Sequence, residues 1–308
     1  MEENKKPLLS ICIPTYNREK LLLECLTKII SQLEKKCLLN SVEIVISDNN
    51  SSDNTENLVK SFWNDCNIKY FKNNNNIWLN ANVIKVTEHA NWKYLWLLSD
   101  DDCITEFSLE YVLKIIEKES FDVMFCSVLS SENMDVKIEP KENKYEICDW
   151  INDFLSYIKD NYKWYKNLIS FFSFYSILIV KAEYFRLWVS YLKEQINRND
   201  FPHDMVVYHN LLNKKIIVPK NIFVIWRLLN ESYVWSTKLI KSFNDCMNFI
   251  EQRNNLQKNS HRKYIKRICK NWRTKNILLW LIIGKLHINY KTNKFLKKIY
   301  YFYKKWIQ

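Results

Sequence analysis

The chain has almost no glycine: Gly284 is the single one in 308 residues, and proline occurs five times. Glycine-rich phosphate cradles need several glycines, for tight turns and for close approach of backbone to phosphate. A P-loop and a G-x-G-x-x-G turn are therefore both excluded. Any phosphate site here has to use side chains, ordinary backbone N–H groups or a bound cation. Also lacking is any C-x-x-C pair. The nine cysteines (Cys12, Cys25, Cys37, Cys66, Cys103, Cys126, Cys148, Cys246 and Cys269) are odd in number and irregularly spaced. That argues against a disulfide framework or a structural zinc site, and for small buried side chains in a reducing compartment. The N-terminal stretch MEENKKPLLSICIP has no long apolar segment ahead of a small-residue cleavage site, so no secretory signal is read there.

What is present is a sizeable core in prospect, with 47% hydrophobic and 15% aromatic residues, in a length that suits one large domain or two modest ones. The net charge of +12 is unevenly placed. Residues 252–308 hold sixteen Lys or Arg and no Asp or Glu, leaving thirty basic against thirty-four acidic residues in 1–251. The basicity belongs to the tail, which points to an anionic surface as partner for the tail alone.

Along the chain, residues 9–13 read as a buried strand ended by Pro14, and 19–33 as a helix, because Leu22, Cys25, Leu26, Ile29, Ile30 and Leu33 recur at three- and four-residue steps. Strands are expected at 42–47, 68–71, 94–98 and 121–127, and helices at 53–62, 79–90 and 107–116. Asp53 or Asn54 is the expected cap of the second helix. Such alternation, with nearly continuous Val and Ile in the strands, predicts a layered α/β domain with a mostly parallel sheet flanked by helices. Residues 132–143 read as a surface excursion. Beyond them a strand is expected at 176–180, a helix at 182–193, and strands at 216–218 and 222–226.

Chemistry gathers at strand ends. After the strand at 94–98 comes Asp100-Asp101-Asp102, three adjacent carboxylates that repel one another unless water or a cation relieves them. Ligands of open α/β sheets bind outside the carboxyl ends of strands. Hard oxygens suit Mg²⁺ or Mn²⁺, which bridges carboxylates to diphosphate oxygens. The alternative is that the three acids only cap the next segment. A second strand exit, Ser47-Asp48-Asn49-Asn50-Ser51-Ser52-Asp53, is either a polar turn or a site in which Asp48 accepts a base N–H. A third, Pro14-Thr15-Tyr16-Asn17-Arg18, offers an aromatic face, a hydroxyl and a guanidinium.

With these motifs together, the sequence resembles the family 2 inverting glycosyltransferases of the GT-A fold. It is similar to bacterial members that build lipid-linked glycans or lipopolysaccharide side branches. The elements that carry the resemblance are PTYNR at 14–18, SDNNSSDNT at 47–55 and LLSDDD at 97–102. It covers roughly residues 8–235. It implies a nucleotide-sugar site in which Pro14, Thr15 and Tyr16 lie along the nucleotide, Arg18 approaches its phosphates, and Asp48 receives N3–H of a uracil-like base while Asp53 shapes the loop. It further implies that Asp101 touches the ribose side and that Asp102, with Asp100, holds Mn²⁺ or Mg²⁺. Ser99 stands where aspartate is common, which leaves the division of labour among the acids open. Asn50 stands where many relatives have glycine, and Asn enters the left-handed region more readily than most residues.

The resemblance also implies a general base. Phe201-Pro202-His203-Asp204 matches that segment, with Asp204 in the base position and Asp200 as competitor. Arg227, in Trp226-Arg227-Leu228-Leu229, matches a segment closing over the diphosphate, and Leu229 replaces a histidine found in some relatives. His209 reads as a structural helix residue. The domain expectation is a nucleotide-sugar-binding half at 1–130, an acceptor-binding and catalytic half at 131–250, and a helical basic C-terminal extension at 251–308. The implied partners are a nucleotide-sugar donor and a glycan or polyprenyl-linked sugar acceptor.

In the tail, lysines and arginines interleave with Trp272, Trp280, Tyr300, Tyr301 and Trp306, while its longest apolar core, 277–283, is far below the roughly twenty residues that span a bilayer. Association with an anionic membrane surface follows from that mixture. The expected location is cytoplasmic, peripheral on the cytoplasmic face of the inner membrane. The alternative is that the tail packs on the catalytic domain. Nucleic-acid binding is the competing non-enzymatic reading, but no recognised motif organises the basic and aromatic residues and the acidic strand exits would go unexplained, so no nucleic-acid partner is expected. A nucleotidyltransferase is the competing enzyme.

Overall fold

The computed structural model describes residues 8–62, 67–142, 144–149, 175–191 and 214–227, with Asp153, Phe154, Ser156, Tyr157 and Val207. Strand β1 (Leu9–Thr15) and strand β2 (Val42–Asp48) are each seven residues long and buried at every position. Burial on both faces is why their sequences run apolar without alternation. Between them helix α1 (Glu19–Lys35) lays the expected stripe of Leu22, Cys25, Leu26, Ile29, Ile30 and Leu33 into the core. Helix α2 (Thr55–Ser61), strand β3 (Ile68–Lys72), helix α3 (Leu79–Glu88) and strand β4 (Tyr94–Leu97) follow. The first strand does not stop before Pro14: the chain stays extended to Thr15, with Pro14 opposite Ser47 and Thr15 opposite Asp48.

After the acidic run come strand β5 (Cys103–Ile104), helix α4 (Ser108–Lys118), strand β6 (Val123–Phe125), strand β7 (Ser127–Ser131) and strand β8 (Tyr145–Cys148). A 3-10 turn at Tyr175–Ile177 leads into strand β9 (Leu178–Lys181) and helix α5 (Ala182–Tyr191), and strands β10 (Ile216–Pro219) and β11 (Ile222–Arg227) complete the described elements. The stretch read as one strand at 121–127 divides at the buried Cys126, and its two parts enter different sheets.

The larger sheet has eight strands in the order β3-β2-β1-β4-β9-β6-β10-β8, and the smaller three, β5-β11-β7. The four strands β3, β2, β1 and β4 are mutually parallel. Strand β9 then runs antiparallel to both β4 and β6, and β8 antiparallel to β10. The architecture is an α/β domain with a mixed sheet flanked by helices: the pairings among β3, β2, β1 and β4 and that of β6 with β10 are parallel, and those of β9 and β8 are antiparallel. An apolar run such as Leu-Ile-Val in β9 records burial and says nothing about direction.

Among the described residues, the buried side-chain nitrogens and oxygens are paired, the Trp92 indole nitrogen excepted. Glu43 accepts from Ser10 Oγ at 2.6 Å, Lys69 Nζ at 2.6 Å and the Asn91 N–H at 2.8 Å. Trp96, fully buried in β4, donates its indole N–H to the Ser176 carbonyl at 2.8 Å, which fixes the 3-10 turn against the end of β4. All six described cysteines carry free thiols, five of them buried. Among the described residues, no helix is long and apolar enough to cross a membrane. The expected C-terminal extension at 251–308 lies outside the described residues.

Candidate active site

Because β2, β1 and β4 are adjacent and parallel, their carboxyl ends form one continuous edge, and the three motif-bearing exits meet there. The first two are stitched by backbone and side chain. The Asn49 N–H donates to the Thr15 carbonyl at 2.9 Å, the Asn17 N–H to Ser51 Oγ at 2.9 Å, and the Ser52 N–H to Asn17 Oδ1 at 2.7 Å. Asn17 and Asn50 sit in the left-handed region, at φ 50° and 68°. Asparagine therefore supplies at position 50 the conformation for which glycine is the default residue.

The first and third exits are joined through Asp100. Thr15 Oγ1 donates to its Oδ2 at 2.8 Å and Arg18 Nη1 to its Oδ1 at 2.7 Å, while Arg18 also lies 3.4 Å from Asp101 Oδ2. Burial pushes the Asp100 carboxyl up to about 6 against the pull of Arg18, and the neighbouring Asp101 charge adds to the rise. Asp102 is buried too, and accepts from Ser176 Oγ at 2.5 Å and the Arg227 N–H at 3.3 Å. Burial, with Asp101 behind it, raises Asp102 well above the usual carboxylate range. The Asp101 side chain is 14% exposed, against 3% for Asp100, and accepts from Ser99 Oγ.

Arg227 enters from the smaller sheet. Its Nε donates to the Asp101 carbonyl at 3.1 Å and its Nη2 pairs with Glu24 on α1. Asp48 is fully buried: Oδ1 accepts from the Ser51 N–H at 2.9 Å and Ser51 Oγ at 2.5 Å, and Oδ2 from the Tyr70 hydroxyl at 2.5 Å. Burial, then the contact with Asp48, drives the Tyr70 phenol upward, so it remains a neutral donor. Pro14 lies buried within β1, and Tyr16 is 42% exposed at its exit. Asp53 accepts from the Thr55 N–H at 3.1 Å and the Glu19 N–H at 3.0 Å. The N-cap position of α2 is Asn54, whose side chain makes no cap bond.

The edge thus brings together Pro14, Thr15, Tyr16, Arg18, Asp48, Asp100, Asp101, Asp102 and Arg227. Asp204 and its competitor Asp200, with His203 and His209, lie outside the described residues. Several participants carried no signal in the sequence: Ser176, which holds Asp102, Glu24, which holds Arg227, and Tyr70, which caps Asp48. Each becomes a neighbour only through tertiary pairing.

Among the described residues, no group of three or more His, Cys, Asp or Glu side chains is arranged to hold a metal ion. Two hard carboxylates at the edge nevertheless suit Mg²⁺ or Mn²⁺, which usually takes one or two carboxylates and completes its shell with water and substrate phosphates. Each carboxylate oxygen has two acceptor positions, so the bonds from Thr15, Arg18, Ser176 and Arg227 leave capacity on Asp100 and Asp102. Asp102 is fully buried with two neutral donors against its oxygens, which is the kind of charge a cation relieves.

The sequence model described as "Glycosyl transferase family 2" matches residues 10–184, more than half of the chain and all three of these strand exits. The chain belongs to glycosyl transferase family 2. Among its relatives, abequosyltransferase RfbV of Salmonella typhimurium is 36% identical over 121 residues, which cover 39% of this chain and 35% of that protein. The Campylobacter jejuni GalNAc(5)-diNAcBac-PP-undecaprenol beta-1,3-glucosyltransferase is 34% identical over 110 residues, covering 35% of this chain and 34% of that one. The matched part spans about a third of the length of these two relatives. Both of these bacterial relatives are named as sugar transferases, one of them for an undecaprenol-linked glycan.

Two solved structures show a similar fold. S. aureus TarS in complex with UDP-GlcNAc has a TM-score of 0.57 at 18% identity, covering 80% of this chain and 66% of that one. The mannosyltransferase PcManGT of Pyrobaculum calidifontis, in complex with GDP-Man and Mn²⁺, has a TM-score of 0.55 at 14% identity, covering 98% and 83%.

Proposed function

We propose that this family 2 chain is an inverting, metal-dependent glycosyltransferase of the GT-A type. It moves a sugar from a nucleoside-diphosphate donor, UDP-linked, to a hydroxyl of a glycan carried on a polyprenyl-linked acceptor. The observation that carries this reading is the convergence of the three strand exits, with Asp100 tied at once to Thr15 and Arg18. In support, one relative's name specifies an undecaprenol-linked acceptor, and two structures of similar fold are in complex with nucleotide sugars, one of them also with Mn²⁺.

In this reading Pro14, Thr15 and Tyr16 line the nucleotide and Asp101 faces its ribose. Asp48 accepts N3–H of the base, sharing or exchanging the oxygen that Tyr70 now holds. Asp102 and Asp100 hold Mn²⁺ or Mg²⁺, which when bound supplies positive charge against the departing diphosphate. Arg18 and Arg227 add side-chain charge at the same edge, an interaction that strengthens as negative charge develops on the leaving group. Asp204 takes the proton from the acceptor hydroxyl, which attacks the anomeric carbon opposite the leaving group and inverts its configuration. Such a base supplies on the order of a hundred- to ten-thousand-fold. Residues 1–130 provide the donor half, 131–250 the acceptor half, and 251–308 a basic aromatic segment that sits on an anionic membrane surface from the cytoplasmic side.

A donor screen tests the reading. With UDP-, GDP- and dTDP-sugars and a polyprenyl-diphosphate-linked sugar acceptor, the expected product is intact nucleoside diphosphate, formed only when acceptor is present. Chelator should abolish its release and added Mn²⁺ or Mg²⁺ restore it. Pyrophosphate as product would move the chain to nucleotidyl transfer, and no turnover with any donor would overturn the reading.

A further inference from the structure

The most conspicuous apolar side chain among the described residues is Trp78. It is 80% exposed, beside the 43% exposed Leu79, whereas of the other described tryptophans Trp96 is fully buried and Trp92 and Trp226 are half-buried. Its backbone lies at φ 71°, ψ 155°, a region open almost only to glycine. A bulky residue stays there only if its surroundings impose the conformation, and such positions cluster at ligand-binding elements.

The surroundings that impose it are a lattice of asparagines linking this loop to the exit of β2. The Asn73 N–H donates to the Asp48 carbonyl at 2.8 Å, and Asn49 Nδ2 donates to Asn76 Oδ1 at 2.8 Å. The Ile77 N–H donates to Asn49 Oδ1 at 2.9 Å and the Trp78 N–H to Asn76 Oδ1 at 2.9 Å. Asn82 anchors the far side, accepting from Ser47 Oγ at 2.7 Å and Asn73 Nδ2 at 2.9 Å. The backbone of Ile77 and Trp78 is therefore tied, through Asn76 and Asn49, to the β2 end of the edge, Asn49 being the residue after Asp48. The acidic run lies toward the other end, at the exit of β4.

We propose that Trp78 is a stacking platform for the nucleobase of the donor, and that the asparagine lattice presents it. The inference rests on the donor reading above and adds a specificity-determining residue to it. A water-exposed indole on a segment bonded to the residue after Asp48 offers what a flat aromatic ring needs at that strand exit: a π-face for stacking, with a carboxylate for its N–H edge. Stacking tolerates any base, whereas Asp48 selects one with an N–H, so the two groups divide affinity from selectivity.

Calorimetry with UDP, and in a parallel arm with inorganic pyrophosphate, both in the presence of Mn²⁺, tests this on the full chain. Trp78→Ala should weaken UDP binding about five- to 150-fold, the ~1–3 kcal/mol that a base–aromatic stack contributes. Trp78→Phe should retain most of the affinity, and pyrophosphate should bind all three proteins alike. Trp78→Gly separates this role from a structural one: glycine accepts the backbone conformation, so its melting temperature should equal or exceed that of Trp78→Ala while UDP affinity falls as far. UDP binding within twofold of the parent in Trp78→Ala overturns the stacking role and leaves the donor reading standing. Failure of the parent chain to bind UDP, GDP, dTDP or CDP overturns both.

Discussion

At the scale of single residues, the acidic edge is a set of desolvated charges kept in place by hydroxyls and N–H groups. Ser176 is central, because its Oγ donates to Asp102 and also accepts the Ser99 N–H at 3.0 Å. Ser176→Ala leaves a buried carboxylate and a backbone N–H short of partners, so a loss of about 1–3 kcal/mol is expected in urea denaturation. Unchanged stability would show that water replaces the hydroxyl at no cost. Asp204→Asn belongs to the same scale. If Asp204 is the base, turnover should fall on the order of a hundred- to ten-thousand-fold in single-turnover assays while nucleotide-sugar affinity stays unchanged. Near-parental turnover would remove Asp204 from the mechanism and bring Asp200 forward. The three carboxylates stood out in the sequence because adjacent like charges need a reason. Ser176 stood out in nothing, since a serine 74 positions from Asp102 becomes its donor only when β9 inserts beside β4.

At the scale of elements, the loop between β2 and α2 works as a clasp on α1. Asp53 receives N–H groups from both helices, Thr55 in one and Glu19 in the other. Burial alone would raise the Asp53 carboxyl, but the hydrogen bonds from Thr55 and Glu19 outweigh it and hold the group below its usual value. A depressed folded-state pKa means stability that is fully present above the unfolded value of about 3.9 and lost as pH falls through the folded one. Asp53→Asn should accordingly be less stable than the parent at pH 7, by less than about 1 kcal/mol because the site is exposed and screened. The gap should close as urea titrations are taken from pH 7 toward pH 3. A gap that widens on acidification would contradict the assignment. Most elements were legible to within two or three residues, because α1 and α4 carry clean helical stripes and β1 and β2 are continuous apolar runs. The errors fall where local pattern is silent: the kink at Cys126 that sends β6 and β7 to different sheets, the two-residue β5, and the direction of β9.

At the scale of the whole molecule, charge separates along the chain, with sixteen basic and no acidic side chains in residues 252–308. If that segment seats the enzyme on anionic lipid, full-length protein should sediment with phosphatidylglycerol-containing vesicles at low salt, and binding should weaken steeply as salt rises past the point where the Debye length falls below about 10 Å. Removing residues 258–308 should abolish it. Equal sedimentation of the two proteins would place the contact elsewhere or show the tail to be packed on the catalytic domain.

What the amino-acid order determined by itself was the set of strand exits and their chemistry. Scarce glycine ruled out phosphate cradles, and the acids and PTYNR stand directly at the ends of apolar runs whose burial is encoded locally. Only the tertiary structure decided that β1 lies between β2 and β4, so that Thr15 and Arg18 reach Asp100 across more than eighty residues of chain. It alone also decided which acids are sealed and which meets solvent, and that the backbone carrying an exposed indole is tied to the exit of β2. Pairing order and desolvation depend on long-range packing, and neither is written in any short stretch of sequence.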